Sequence, residues 1–258
     1  STSMKLGSEN AEVRHDPLSA FPKYFENHIK ICEHVFISIV SADDYNLIDR
    51  YATIDPEFAF AFFDSRLAYL TPNTLAHLYN FHQDIINATE KLSGGDLVVL
   101  VKSEPKEITA AALLLGGHMI IGQGMTTQEV AEKFVPVSSM FAHFENSAEG
   151  DGPDLTINDC WRALHRAKSL GWANFNPALD PDYEERASID MEEYLHYDDT
   201  ANGAMHLVDP SRLLLFRCPA DLPAGQAWRD VGGRREFGAE HYAGVFGDFD
   251  VRLVVRCG

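Results

Sequence analysis

The sequence predicts an α/β fold, a parallel-type sheet flanked by helices, followed by an incomplete second α/β unit. Three observations carry this. Two short, β-branched apolar runs, 35–40 (VFISIV) and 96–101 (DLVVLV), have the near-continuous hydrophobicity of strands covered on both faces. Each is followed by a stretch with helical period, the alternation that parallel strands need for their crossovers. The 258 residues are 45% hydrophobic and 11% aromatic, enough to bury a core and to exclude wholesale disorder.

In chain order, residues 1–11 are polar and carry Gly7, and 1–29 is assigned as an N-terminal leader, flexible at its start. The run 35–40 is the first strand. From Pro72 the period changes: Leu75, Leu78, Tyr79, His82, Ile85 and Ile86 recur at three and four. That predicts a helix with Thr71 as N-cap, Pro72 at its first position and Gly94-Gly95 as its stop. The strand 97–101 suits the middle of the sheet, beside 35–40. A polar loop over 102–106 leads into a helix over 107–121, apolar nearly all round (Ala110, Ala111, Leu114, Leu115, His118) and therefore buried. Thr126, Thr127 and Glu129 open a further helix that ends before Pro136. Residues 145–154 form a glycine-rich acidic connector, and Thr156 begins a helix with Ile157, Trp161, Leu164 and Ala167 on its buried face. The first domain is thus 30–175, an acidic linker occupies 176–204, and 205–258 opens a second unit. Strands are expected there at 212–216 and 251–255, with a helix near 236–246.

Charge narrows the function. Thirty-nine acidic against 21 basic residues give −18 at pH 7, which repels nucleic-acid backbones and anionic membranes. The partner chemistry it favours is a basic protein face, within a larger assembly. Cys32, Cys160, Cys218 and Cys257 lie far apart, so no disulfide framework or zinc site is expected, and a reducing compartment is the default. There is no N-terminal apolar signal run and no apolar stretch near the roughly 20 residues of a membrane span. The expectation is a soluble, cytoplasmic protein without cofactor or metal. His77 and His82 fall on different helix faces, H-E-x-x-H is absent, and His118 reads as a core histidine. Gly122-Gln123-Gly124 comes after a helix and reads as its stop, not as a dinucleotide loop.

The segment 189–198 (IDMEEYLHYD), continued by Asn202-Gly203, Val208-Asp209-Pro210 and Leu213-Leu214-Leu215-Phe216, resembles a linker in one phosphatase family. These are the mitotic-exit dual-specificity phosphatases of the cell-division-cycle-fourteen type. Upstream, Tyr51-Ala52-Thr53-Ile54-Asp55, Phe62-Phe63-Asp64, Leu75-Ala76 with Leu78-Tyr79, the helix over 110–121, and 155–160 are similar to that family's non-catalytic N-terminal domain. The resemblance covers about 45–258 and implies two phosphatase-like domains in tandem, of which the second alone is catalytic. The His-Cys-x5-Arg loop and the general-acid aspartate would lie further on, so this chain is expected to end before them. The resemblance therefore implies a pseudophosphatase-like protein-binding or scaffold component, with a microtubule-based assembly (cilium, basal body, centrosome) as its setting. The alternative is the N-terminal part of an active proline-directed dual-specificity phosphatase acting on phosphoserine and phosphotyrosine proteins.

No residue is assigned a catalytic role. Cysteine phosphatases hold a thiolate in a glycine-rich strand–loop–helix turn whose N–H groups and an arginine cradle phosphate. The literal Cys-x5-Arg, Cys160 to Arg166, lies inside a helix, lacks glycine, and has Asp159 beside the thiol, which opposes ionisation. Cys257 stands between Arg256 and Gly258, and makes no cradle. The position of a phosphate loop is the turn after Val101: Lys102, Ser103, Glu104, Pro105, Lys106 and Glu107. It is degenerate. Two carboxylates stand where thiol and arginine are needed, Pro105 removes a donor, and Glu104 and Glu107 are expected to cap the helix through its dipole. Residues 180–199 carry nine carboxylates against Arg186. The resemblance implies an acidic groove there for basic residues of a partner. Glu193 and Asp198 stand at matching positions, while Leu195 and Ala204 depart from the family's acidic residues.

Overall fold

The computed structural model describes residues 4–6, 28–51, 58–68, 74–144, 155–173, 175, 191–209, 213–232 and 234–256. It divides into two compact units, Ser1–Pro177 and Ala178–Gly258.

The first unit is built on a five-stranded sheet. Its strands are β1 (Met4–Leu6), β2 (Ile29–Cys32), β3 (Val35–Val40), β4 (Phe58–Phe63) and β5 (Asp96–Lys102), in the order β1-β4-β5-β3-β2. β5 is central and parallel to both neighbours: Val35 pairs with Leu97 and Ala59 also with Leu97, from opposite sides. That is the placement its near-continuous apolar sequence predicts, and Leu97 through Val101 are all buried. β1 and β2 pair antiparallel at the two edges. Part of the expected leader therefore enters the sheet.

Helices cover both faces. α1 (Ala42–Tyr51) places Tyr45 and Ile48 against Phe60, Phe62, Val98 and Leu100. α2 (Leu75–Leu92) and α3 (Pro105–Gln123) pack together, and α3 is buried from Glu107 to Ile121. α4 (Thr127–Lys133) and α5 (Ile157–Ser169) complete the layer, both opened by capping boxes (Thr126 with Glu129, Thr156 with Asp159). α2 also opens with a capping box, formed by Thr74 and His77. The cap is therefore not Thr71. Thr71 and Pro72 lie outside the described residues, and the threonine whose side chain reaches the third helical N–H fixes the start.

Close approach of helices is set by glycine. A Cβ at Gly116 would run into the Trp161 indole, one at Gly117 into Leu78, and one at Gly122 into His82. Gly124, at φ 74°, is the left-handed C-cap of α3, so the expected stop lies there, while Gly122 serves packing. Lys168 of α5 donates from Nζ to the carbonyls of Ile120 and Ile121, both at 2.8 Å, and completes that helix end.

The second unit holds α6 (Met191–Asp198), the hairpin β6–β7 (Met205–Asp209, Leu213–Phe216), the hairpin β8–β9 (Trp228–Val231, Arg234–Phe237) and α7 (Ala239–Asp248). Phe216, Phe237, Tyr242 and Phe246 form its aromatic centre, and Tyr242 donates to the Gly203 carbonyl at 2.9 Å. α7 begins at Ala239 and not near 236, because Glu236 and Phe237 pair as the end of β9 instead. The strand expected at 251–255 is a correction: the segment belongs to no strand, and Leu253, Val254 and Val255 are 78%, 51% and 67% exposed. Its β-branched pattern is real, but a strand needs a ladder partner to form.

Candidate functional site

The functional question centres on the turn between β5 and α3. It lies at the carboxyl ends of the parallel strands, where open α/β sheets place their ligands. Lys102 ends β5, Glu104 is the N-cap of α3, Pro105 its first residue and Glu107 its third. Ser103, Glu104, Pro105 and Lys106 are exposed. Glu104 makes no side-chain cap bond, so only Glu107 stays in the turn, and it does so by burial.

Glu107 is 8% exposed, with Oε1 3.9 Å from Lys102 Nζ. Its Oε2 is buried with no hydrogen-bond partner among the described residues. Lys102 Nζ also donates to Ser65 Oγ at 2.9 Å and lies 4.8 Å from the centre of the Tyr45 ring. Tyr45 donates to the Phe63 carbonyl at 2.7 Å, and its phenol is pushed well above its usual range, first by burial and then by the Glu107 charge. Arg66, in the 3-10 turn Ser65–Leu67 after β4, is held by Asp64 at 2.6 Å. The cluster thus presents a lysine already engaged by a carboxylate, an arginine held by another, and no thiol. Among the described residues the cluster holds no cysteine thiolate of the kind a cysteine phosphatase uses as nucleophile.

The cysteines sit elsewhere. Cys160 is half-buried in α5 and lines an apolar cavity of about 200 Å³ with Leu78, Leu114 and Leu164. Burial, and after it the Asp159 charge, push its thiol up to about 11, so it is protonated at neutral pH. Arg162 leans on Asp159 at 3.8 Å, and Arg166 is exposed six residues along the helix from Cys160. Cys257 lies outside the described residues.

Glu193 and Asp198 belong to the second unit. Both are on α6 but five positions apart, so they occupy different faces. Asp198 faces His206 of β6, 3.5 Å from its Nε2, and Tyr194 stacks on that imidazole with ring centres 4.9 Å apart. Of the other acidic residues expected to line the groove, Glu192 is on α6 and Asp199 follows it, while 180–190 lie outside the described residues.

Sequence reasoning read His82 and His118 separately. The fold joins them: Nδ1 of each lies 3.0 Å from the other, buried between α2 and α3. Burial holds His118 down to about 3 and His82 to about 4, with Lys168 adding to the second shift. Both rings are neutral at pH 7, and one Nδ1 must donate while the other accepts. Among the described residues no group of three or more histidine, cysteine or carboxylate side chains could hold a metal ion, and no helix is long and apolar enough to cross a membrane.

A central parallel sheet with a strand–turn–helix at its carboxyl edge defines a phosphatase-like α/β domain. Residues 35–167, just over half of the chain, match the family described as dual specificity protein phosphatase, N-terminal half. The chain belongs to that family. It is 24% identical over 210 residues to the dual specificity protein phosphatase CDC14C of Symphalangus syndactylus, covering 80% of this chain and 40% of that protein. Similarity to CDC14B of Mus musculus is 24% over 211 residues (81% and 40%), and to CDC14C of Homo sapiens 24% over 210 (80% and 43%). The chain spans about two fifths of the length of these relatives.

Proposed function

We propose that this chain is a non-catalytic, protein-recognising module of the dual specificity phosphatase family, engaging a basic face of a protein partner. The observation that carries the reading is Glu107, a buried carboxylate in the turn where a phosphatase needs a thiolate and an arginine. Electrostatics supply the partner's chemistry. At −18 the chain attracts basic surfaces and repels acidic ones, and α6 adds Glu192, Glu193 and Asp198 within eight residues. Peptides of matched length carrying either Lys/Arg or Asp/Glu flanks test it by fluorescence anisotropy. The basic set is expected to bind and to weaken with added salt, while the acidic set does not bind. Equal affinity for both sets removes the charge argument.

A second reading, that the module is the N-terminal part of an active dual specificity phosphatase, is favoured by the relatives' names and by the two-fifths coverage. The intact mass of the native protein separates the two. A mass near 28.8 kDa supports a stand-alone module, and a mass about twice as large, with a downstream His-Cys-x5-Arg loop, supports the enzyme.

A further inference from the structure

The turn between β5 and α3 brings three groups that favour an oxyanion together with an anion supplied by the chain itself. Lys102 contributes an ammonium, Ser65 a hydroxyl 2.9 Å from it, and Tyr45 an aromatic wall 4.8 Å from it. α3, a 19-residue helix, contributes the positive end of its dipole. Into this cluster projects the Glu107 carboxylate, from a residue 8% exposed. Lys102 and Glu107 do not close to a hydrogen-bonded pair, since Nζ and Oε1 remain 3.9 Å apart. The second oxygen, Oε2, is buried without any donor among the described residues. Burial in the turn, and not a clamp by the lysine, therefore holds this carboxylate in place. An anion sits beside the cation and the helix end, but it is imperfectly bound there.

We propose that the turn is a latent oxyanion site whose built-in occupant is Glu107, so that the carboxylate excludes phosphate and its removal opens the site. The inference deepens the non-catalytic reading and rests on it, by naming what fills the degenerate loop. Lys102 is the group that would receive the incoming anion, because its counter-charge leaves with Glu107 while Ser65 continues to hold it over the Tyr45 ring. Pro105 has no N–H, and those of Ser103 and Glu104 already donate to the carbonyls of Val40 and Lys102 at 2.8 and 2.7 Å, so the opened site is a weak one that binds and does not catalyse.

The full chain titrated with inorganic phosphate at low ionic strength, with equilibrium dialysis and the phosphate-induced shift in Tm as readouts, tests this. The unsubstituted chain is expected to show no saturable binding. Glu107→Ala and Glu107→Ser should bind phosphate about tenfold or more tightly than the unsubstituted chain, and Lys102→Met added to either should abolish the gain. Folded Glu107→Ala and Glu107→Ser proteins that bind no better than the unsubstituted chain overturn the proposal. So does saturable phosphate binding with Glu107 in place. If neither small variant folds, Glu107 is a structural residue and the proposal fails in that way too. Turnover by the unsubstituted chain is a separate result. It removes the non-catalytic reading and is detected as product release, not as anion binding.

Discussion

Lys102 and Glu107 are unequal partners. The lysine side chain is 24% exposed and can swing its ammonium to water, whereas the glutamate is held inside the turn. Lys102→Met strands a buried carboxylate and is expected to lower unfolding stability by about 3 kcal/mol, while Glu107→Gln costs less than half as much. Urea denaturation of the two variants checks the order, and a costlier Glu107→Gln contradicts it. The histidine pair gives a pH dependence of definite sign. In the unfolded chain both imidazoles protonate near pH 6.5, while in the fold they stay neutral down to about 4 (His82) and about 3 (His118). The unfolded state therefore binds more protons below pH 6.5, and stability falls as the pH drops from there toward 4. Each histidine contributes about 1.4 kcal/mol per pH unit in that window. Denaturation curves between pH 7 and pH 5 should show the loss, and His118→Asn should reduce the slope. A flat profile would show that the rings are not buried as a neutral pair.

At the level of elements, α3 can be close to its neighbours only because it lacks side chains where they cross it. Gly116→Ala places a methyl group against the Trp161 indole, which is itself stacked on Phe134 at 5.4 Å, and is expected to cost about 1–3 kcal/mol. Trp161→Phe in the same chain should recover part of that loss, and a double-mutant cycle measures how much. The sequence made the helix legible through its length and apolarity. It concealed the role of Gly116 because a glycine that admits a neighbour looks the same as one that weakens a helix. Strands β3 and β5 were legible because burial on both faces leaves a continuous apolar run. The edge strands β1 and β2 were not, since short strands with one covered face carry little pattern. β4 (FAFAFF) mixes alanine with phenylalanine, and only its family likeness marked it in the sequence. In the site, the carboxylates of the turn from Lys102 to Glu107 could be read, but which of them turns inward could not, because burial is a tertiary property. The segment 251–255 shows the opposite error, a strong strand pattern without a partner. Amide hydrogen exchange should be fast across 252–255 and slow across 97–101 in the free chain. Strong protection at 252–255 in a monodisperse monomer would mean that a ladder forms there.

For the molecule as a whole, the proposed function rests on two features, the net charge for encounter and the carboxylates of the β5–α3 turn for chemistry. A charge of −18 speeds the approach of a basic partner, and the rate constant for association should fall as salt shortens the Debye length below about 10 Å, with dissociation much less affected. Lasting affinity needs apolar contact as well, and the second unit exposes Leu213, Leu215, Trp228 and Val231 at 46–53%. The central claim is that this chain recognises and does not hydrolyse. The most direct measurement is phosphate release by the purified chain from a phosphoserine-proline peptide and from a small aryl phosphate. Release equal to buffer alone is expected, for the unsubstituted chain and for Cys160→Ser alike. Release above buffer that disappears in Cys160→Ser would contradict the claim, by showing that the helix thiol, pushed up to about 11, acts as a nucleophile after all.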